Sequence, residues 1–447
     1  MQHELKRSLS LTDVVALGIN GVVGTGIFLL PGVAAGMMGP ASILTLLFAG
    51  LLSFLIALCF AEVGSQFRGT GGAYLYALRV HGETPGFFVG WMVLVVTTSS
   101  WAAMVNGLAD AVAANYLPAI ASGPERVVAI LAFMAVLTAI NLLGAKMGAR
   151  VSNLFTAAKL IPIAVFIGWG VFYIDFSNFT PFAPMGFGGD FFSASLIILY
   201  AFVGFEALVV PAGEMSNPRR AVPLALISVL SLVCIVYVGV MLVAIGTLPG
   251  IAGHPNAVVA SAESFMGSSG AAFISVGIII SMIGVNSAQA LIGPRRVFAL
   301  AEQGHMPKVL AKVSDNGVPH VALITLFFVC GGIAIVGDFK TLALVSVVGR
   351  FAQYISTCLA VIVLRYRQPK NMSKEAVGES EDTNRFRLPL SYFVPILALG
   401  LCGWLLVAAA QKDEKPFIAG GIALAAGFPV YLFIRWQRAR ASSGSRK

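Results

Sequence analysis

The sequence returns repeatedly to runs of about twenty residues almost free of charge, the length an α-helix needs to cross a bilayer. Twelve such runs lie near residues 11–36, 41–66, 84–117, 126–146, 151–174, 191–213, 221–247, 270–302, 319–337, 341–366, 388–410 and 416–436. In all, 58% of the residues are hydrophobic and 11% charged, and the mean hydropathy is +0.88. A soluble fold cannot hide that much apolar surface, so the chain reads as an all-α integral membrane protein. The first run is too long for a signal peptide and has no small-residue cleavage site after it, so it reads as a first transmembrane helix.

A net charge of +9 suggests nucleic acid only until the charges are placed. If the N-terminus is cytoplasmic, most of the 29 Lys and Arg residues fall on the inner side. They include Lys6, Arg7, Arg68, Arg79, Lys146, Arg150, Arg219, Arg220, Arg295, Arg296, Arg365 and Arg367. Outer loops hold Arg126, Lys340, Lys412 and Lys415, and the runs themselves hold Lys159 and Arg350. This is the positive-inside asymmetry, with both termini cytoplasmic, and it needs no nucleic-acid partner. The five cysteines (Cys59, Cys234, Cys330, Cys358, Cys402) all sit in apolar runs at spacings that suit packing rather than a disulfide scaffold or a metal site. The five histidines lie at loops or helix ends without ligand pairs, and no nucleophile–base set is present, so neither an enzyme nor a cofactor is expected.

Two of the runs are interrupted. Between Gly18 and Gly32 the first run carries five glycines in fifteen residues, each weakening a helix by about 1 kcal/mol relative to Ala. Backbone freed from its helix inside a bilayer must find partners in the protein or line a cavity. The sixth run has its own interruption, Tyr200-Ala201-Phe202-Val203-Gly204-Phe205-Glu206, with a carboxylate among apolar residues. Counted in fives, runs one and six are each first in a repeat, and an odd number of spans inverts the second unit. Paired interruptions at corresponding positions point to a carrier's central site; close packing of small residues is the alternative.

Several motifs, in order along the chain, carry a resemblance. They are Val23-Gly24-Thr25-Gly26-Ile27-Phe28; Glu62 with Gly71-Gly72-Ala73-Tyr74; and Phe202-Val203-Gly204-Phe205-Glu206 with Glu214-Met215-Ser216-Asn217-Pro218-Arg219. The last is Arg296 through Ala301-Glu302-Gln303-Gly304-His305-Met306-Pro307 with Gly317-Val318-Pro319. Together they resemble the amino acid–polyamine–organocation superfamily of permeases. The resemblance implies a LeuT-type fold of 12 transmembrane helices, with inverted five-helix repeats and broken helices 1 and 6. On that reading residues 1–366 are a ten-helix transport core with repeats at about 11–174 and 191–366. Residues 367–387 form a cytoplasmic loop, 388–436 two accessory helices, and 437–447 a basic cytoplasmic tail.

A zwitterion leaves water only where polar partners replace its hydration. A break near Val23–Gly26 offers the N–H groups of Thr25, Gly26 and Ile27 to a carboxylate, at the positive end of a half-helix. Carbonyls of Asn20, Gly21 and Val22 can accept from an ammonium, as can those of Tyr200, Ala201 and Val203 at the second break. Gly24 allows close approach. By the resemblance Tyr200 occupies the place of an aromatic gate; Phe202, Trp101 and Gln289 are further candidates for the pocket wall.

Lys159 lies nine residues beyond Arg150, about 13 Å into the membrane on a helix, too deep to snorkel easily. A buried amine is cheaper when neutral, so its protonation can follow a transport cycle. In proton-coupled members of the superfamily a lysine on the fifth helix stands where sodium-coupled relatives bind sodium, and Asn153 through Pro162 resembles that segment. Glu206 is the second intramembrane ionisable group, a candidate proton carrier or latch. Arg350 can pair with Glu206 or Asp110, or face a vestibule. The expectation is a multi-pass cytoplasmic-membrane carrier, monomer or homodimer, moving neutral L-amino acids with protons by alternating access. An exchanger, a polyamine or organic-cation carrier, and a non-transporting sensor are the alternatives.

Overall fold

The computed structural model describes residues 9–186, 190–254, 256–367, 386–388, 390–411 and 414–444, and their regular secondary structure is all helical, with no strand beyond one isolated bridge. Most of the 367–387 loop, and the basic residues Lys6, Arg7 and Lys412, lie outside the described residues. The helices, in order, begin with α1 (Leu11–Val22), α2 (Gly26–Met38), α3 (Ser42–Gly64), α4 (Ala73–His81), α5 (Glu83–Asn115), α6 (Gly123–Leu142) and α7 (Ala145–Gly170). They continue with α8 (Asp190–Phe202), α9 (Pro218–Thr247), α10 (Ala257–Glu302), α11 (His320–Val336) and α12 (Phe339–Arg367). The last are α13 (Phe393–Ala410), α14 (Lys415–Ala425) and α15 (Gly427–Gly444). Among the described residues nine stretches are long and apolar enough to cross a membrane, and α11 and Phe393–Ala408 are shorter apolar helices.

Local chemistry explains the element ends near the first break. Ser10 closes a capping box on α1: its hydroxyl accepts from the Asp13 N–H, and the Asp13 carboxylate accepts from the Ser10 N–H. α1 stops at Val22, and α2 starts at Gly26, three residues intervening. The second break follows Phe202 and is carried by Gly204 at φ +117°, a left-handed conformation that disfavours a Cβ. Beyond it the chain proceeds to Glu214 through two 3₁₀ turns rather than a second α-helix.

Three features depart from the twelve-run reading. α4 is an extra short helix between the second and third runs. α10 begins at Ala257, not 270, because a helical segment precedes a kink at Gly267 (φ +70°). The twelfth run is divided between α14 and α15.

The interior is built where small residues let helices approach. A Cβ on Gly26 would stand 2.7 Å from the Ala201 Cα, so α2 and α8 meet backbone to backbone. A Cβ on Gly284 would lie 2.3 Å from Asn20 Oδ1 and 3.1 Å from Lys159 Cε, where α10 passes α1 and α7. At the end of the bundle that carries Leu9, that residue forms a parallel bridge with Met215. Its N–H donates to the Glu214 carbonyl at 3.0 Å.

Candidate functional site

The two broken helices face each other. A Cβ on Gly204 would sit 2.5 Å from the Gly21 carbonyl oxygen, so the breaks are in direct contact. Beside this contact lies a cavity of about 20 Å³, lined by Gly21, Val22, Gly24, Thr25, Gly26, Met104, Tyr200, Val203, Met282 and Val285. That is room for roughly one water, so an amino acid needs the walls to separate. No charged side chain is among the lining residues.

Of the residues expected to form the site, the structure brings Gly21, Val22, Gly24, Thr25, Gly26, Tyr200 and Val203 to this cavity. Val23 and Ile27 are buried in the apolar core. Gly26 and Ile27 open the α2 helix, and first-turn N–H groups have no carbonyl one turn earlier in their own helix. Tyr200 is half-buried, its ring edge-on to Phe339 at 6.2 Å. Phe202 turns away to pack against Tyr237 at 5.1 Å. Trp101 is buried in a separate apolar cluster with Val105, Met134 and Leu326, and its place facing the cavity is taken by Met104. Gln289 lies below the lining, its Nε2 donating to Ser100 Oγ at 3.4 Å.

Several of the carbonyls expected to accept from a substrate already have donors. Lys159 is fully buried, and its Nζ donates to the carbonyls of Asn20 (3.1 Å), Val23 (2.6 Å) and Ser281 (3.2 Å). Ser281 Oγ donates to the same Val23 carbonyl at 3.0 Å. The Tyr237 hydroxyl lies 3.1 Å from the Val22 carbonyl and 2.8 Å from that of Ala201, so one side chain spans both breaks. Sequence reasoning passed over Tyr237 because nothing in the α9 run marks it out. Asn20 donates to Ser152 Oγ and to the Gly284 carbonyl, both at 2.8 Å. The amine of Lys159 therefore joins α7 to the end of α1 and to α10, directly behind the cavity wall.

Glu206 and Arg350 pair at 2.8 Å, both buried. Asp110 instead meets Arg126 at 2.7 Å. Arg295 and Arg296, counted above with the inner-loop cations, are buried inside α10. They tolerate that position because Arg295 forms an ion pair with Glu214 and Arg296 donates to Thr97 Oγ1 at 2.9 Å. Charge counted along a sequence cannot tell a loop cation from one in the last turns of a long helix.

Comparison with known proteins agrees with this architecture. The family model for amino acid permeases matches residues 9–428. The chain is 31% identical over 443 residues to the methylthioribose transporter of Bacillus subtilis (strain 168), covering 96% of this chain and 93% of that protein. It is 29% identical to the serine/threonine exchanger SteT of the same organism, covering 97% and 98%. It is 31% identical to cationic amino acid transporter 4 of Mus musculus, covering 86% of this chain and 64% of the relative. The protein is thus a multi-pass membrane transporter rather than an enzyme, and it belongs to the amino acid permease family.

Proposed function

We propose that this chain is a secondary active carrier that moves neutral L-amino acids across the cytoplasmic membrane by alternating access, coupled to protons. The observation that carries the reading is the fully buried Lys159 amine, held by three carbonyls at the end of the first broken helix and on α10. A protonated ammonium there donates to all three and favours one facing of the carrier. Deprotonation removes the charge and one of the three N–H donors, leaving one carbonyl unpaired and releasing the other facing, so the proton biases a two-state element.

Twelve passes and a LeuT-type core over residues 1–366 fit the helices. The stretch Leu11–Gly64 is long enough for two passes, and the two shorter apolar helices supply two more. Residues 388–436 are then accessory helices, and both termini are cytoplasmic. The substrate carboxylate faces the N–H groups of Thr25, Gly26 and Ile27 at the α2 start. Its ammonium faces the carbonyls of Gly21, Tyr200 and Val203, with Tyr200 closing over it. A neutral side chain suits walls made by Met104, Met282 and Val285.

The test is uptake into proteoliposomes from a panel of labelled amino acids, with methylthioribose included because one relative is named for it. Wild-type protein is expected to accumulate substrate when an inward proton gradient is imposed. Lys159→Ala is expected to bind and exchange substrate without concentrating it. Counterflow with no response to pH in the wild type would replace symport by obligate exchange. Proton-driven accumulation by Lys159→Ala would make the lysine structural and move coupling to Glu206.

A further inference from the structure

One turn from the cavity lining, toward the end of the bundle that carries Leu9, lies a buried polar layer. Ser100 is four residues before Met104 on α5, and Gln289 four residues after Val285 on α10. Glu206 is three residues after Val203. Arg350, on α12, binds this layer together. Its Nε donates to Glu206 Oε1 at 2.8 Å, and its Nη2 to Ser100 Oγ at 3.2 Å. Its Nη1 donates to the Ser346 carbonyl at 3.0 Å and to Ser346 Oγ at 2.9 Å. The second Glu206 oxygen accepts from the Gly204 N–H at 2.9 Å and the Tyr354 hydroxyl at 3.2 Å.

A second guanidinium stands nearby. Arg296 is 2% exposed, and besides its bond to Thr97 its Nε has no partner. Its acceptor Thr97 stands three residues before Ser100, the acceptor of Arg350, on the same helix α5, which sets the two guanidinium groups in adjacent turns. The layer thus sets one carboxylate against two guanidinium groups. A buried ion pair is a poor stabilising device, since desolvation consumes most of the Coulombic gain. A second arginine without its own carboxylate makes the layer costlier still. Its electrostatic consequence is plain: Glu206 is already neutralised, and the field above the layer is positive. In a low dielectric a like charge one turn away is strongly disfavoured.

We propose that Arg350 is a specificity-determining residue: it silences Glu206 and, with Arg296, makes the floor of the pocket positive, so that the carrier refuses substrates whose side chain bears a cation. The inference rests on the amino acid reading above. It sets the expected substrates of this chain apart from those for which one relative is named, and it makes Glu206, a candidate proton carrier or latch by sequence, a carboxylate masked by its arginine.

The test is inhibition of labelled leucine uptake in proteoliposomes by unlabelled leucine, glutamine, lysine and ornithine. In the wild type the neutral competitors are expected to inhibit, and lysine and ornithine not. Arg350→Gln unmasks Glu206, and the ratio of lysine to glutamine inhibition is expected to rise at least about tenfold. The double variant Glu206→Gln/Arg350→Gln is expected to lose that gain, whereas Arg350→Lys keeps the wild-type ratio. Should Arg350→Gln fail to fold, Arg296→Gln gives up a single hydrogen bond and is expected to raise the same ratio by a smaller factor. Lysine inhibition in the wild type equal to that by glutamine overturns the inference and leaves the amino acid reading standing. So does an unchanged ratio in the folded variants. If no amino acid is taken up or competes, the amino acid reading falls, and this inference with it.

Discussion

At the scale of single residues the site depends on absent side chains as much as on present ones. Gly26 begins α2 and lines the cavity, and it also lets α2 touch α8. A Cβ there meets the Ala201 Cα at 2.7 Å and the Ala201 Cβ at 2.8 Å. The Ala201 Cα is backbone and cannot rotate aside, so the two half-helices must part. Gly26→Val adds a branched side chain to this conflict. It is expected to abolish substrate binding, measured by ligand-induced thermal shift on monodisperse protein, and Gly26→Ala to weaken it. Normal affinity in folded Gly26→Val would show that the close approach of α2 and α8 plays no part in recognition. Lys159 and Tyr237 do the complementary work, occupying carbonyls that the breaks would otherwise leave without donors.

At the scale of elements, the junction of α4, α5, α10 and α15 is a small polar assembly around His305, outside the spanning helices. His305 Nδ1 and the Tyr74 hydroxyl are 2.7 Å apart, with Phe87 edge-on to the imidazole at 5.5 Å. Nε2 lies 3.8 Å from a Glu83 oxygen that also pairs with Arg438 on α15. Arg438 further donates to the Gln303 carbonyl at 2.9 Å. Burial, reinforced by the Arg438 charge, holds His305 below its ordinary value of 6.5, against the pull of Glu83. The unfolded chain therefore binds a proton that the folded protein resists, and stability is lost as pH falls through and below 6.5. Wild-type protein is expected to lower its unfolding midpoint between about pH 6.5 and 5. The drop should be shallower in His305→Gln, as read by thermal unfolding in detergent across that range. Equal slopes would remove His305 from the account.

At the scale of the whole molecule, buried and part-buried ion pairs join segments far apart in sequence. Arg365 on α12 reaches Glu62 on α3 through Nε at 2.7 Å and Nη2 at 2.5 Å. The Leu388 N–H donates to the same carboxylate at 2.8 Å, which ties the chain entering α13 to the core. Glu62 is buried and Arg365 part-buried, so removing Glu62 costs less than the ~3–5 kcal/mol of a fully buried pair, and an apolar pair of similar volume is better tolerated. Glu62→Gln is expected to lower the unfolding midpoint in detergent markedly, and Glu62→Leu/Arg365→Met to recover most of that loss. A double variant as unstable as the single would show that the carboxylate matters for the Leu388 contact rather than for the arginine. At the same end of the bundle, Glu214 pairs with Arg295 on α10, and Leu9 bridges to Met215 beside it.

The sequence by itself determined the class of the protein, the position of most of its helices and the residues at which two of them break. These are local properties: apolar length follows from the cost of exposing backbone and charge to lipid, and a glycine cluster weakens its own helix wherever it occurs. Lys159 was legible for the same reason, as an amine too deep in an apolar run to reach water. What it binds was not, because its acceptor carbonyls lie 122 to 139 residues away. Sequence left Arg350 open to Glu206 or Asp110, and only packing, which sets α12 against α5 and the second break, joined it to Glu206. Trp101 and Met104 are both on α5, and which of them faces the cavity is a matter of helix rotation, fixed by what α6 and α11 cover. Arg296 read as a surface cation and Tyr237 as an ordinary aromatic, since each acquires its meaning from partners brought by other helices. Helix positions are set by the solvent, here a bilayer, but the hydrogen bonds that make a site are set by which helices that solvent presses together.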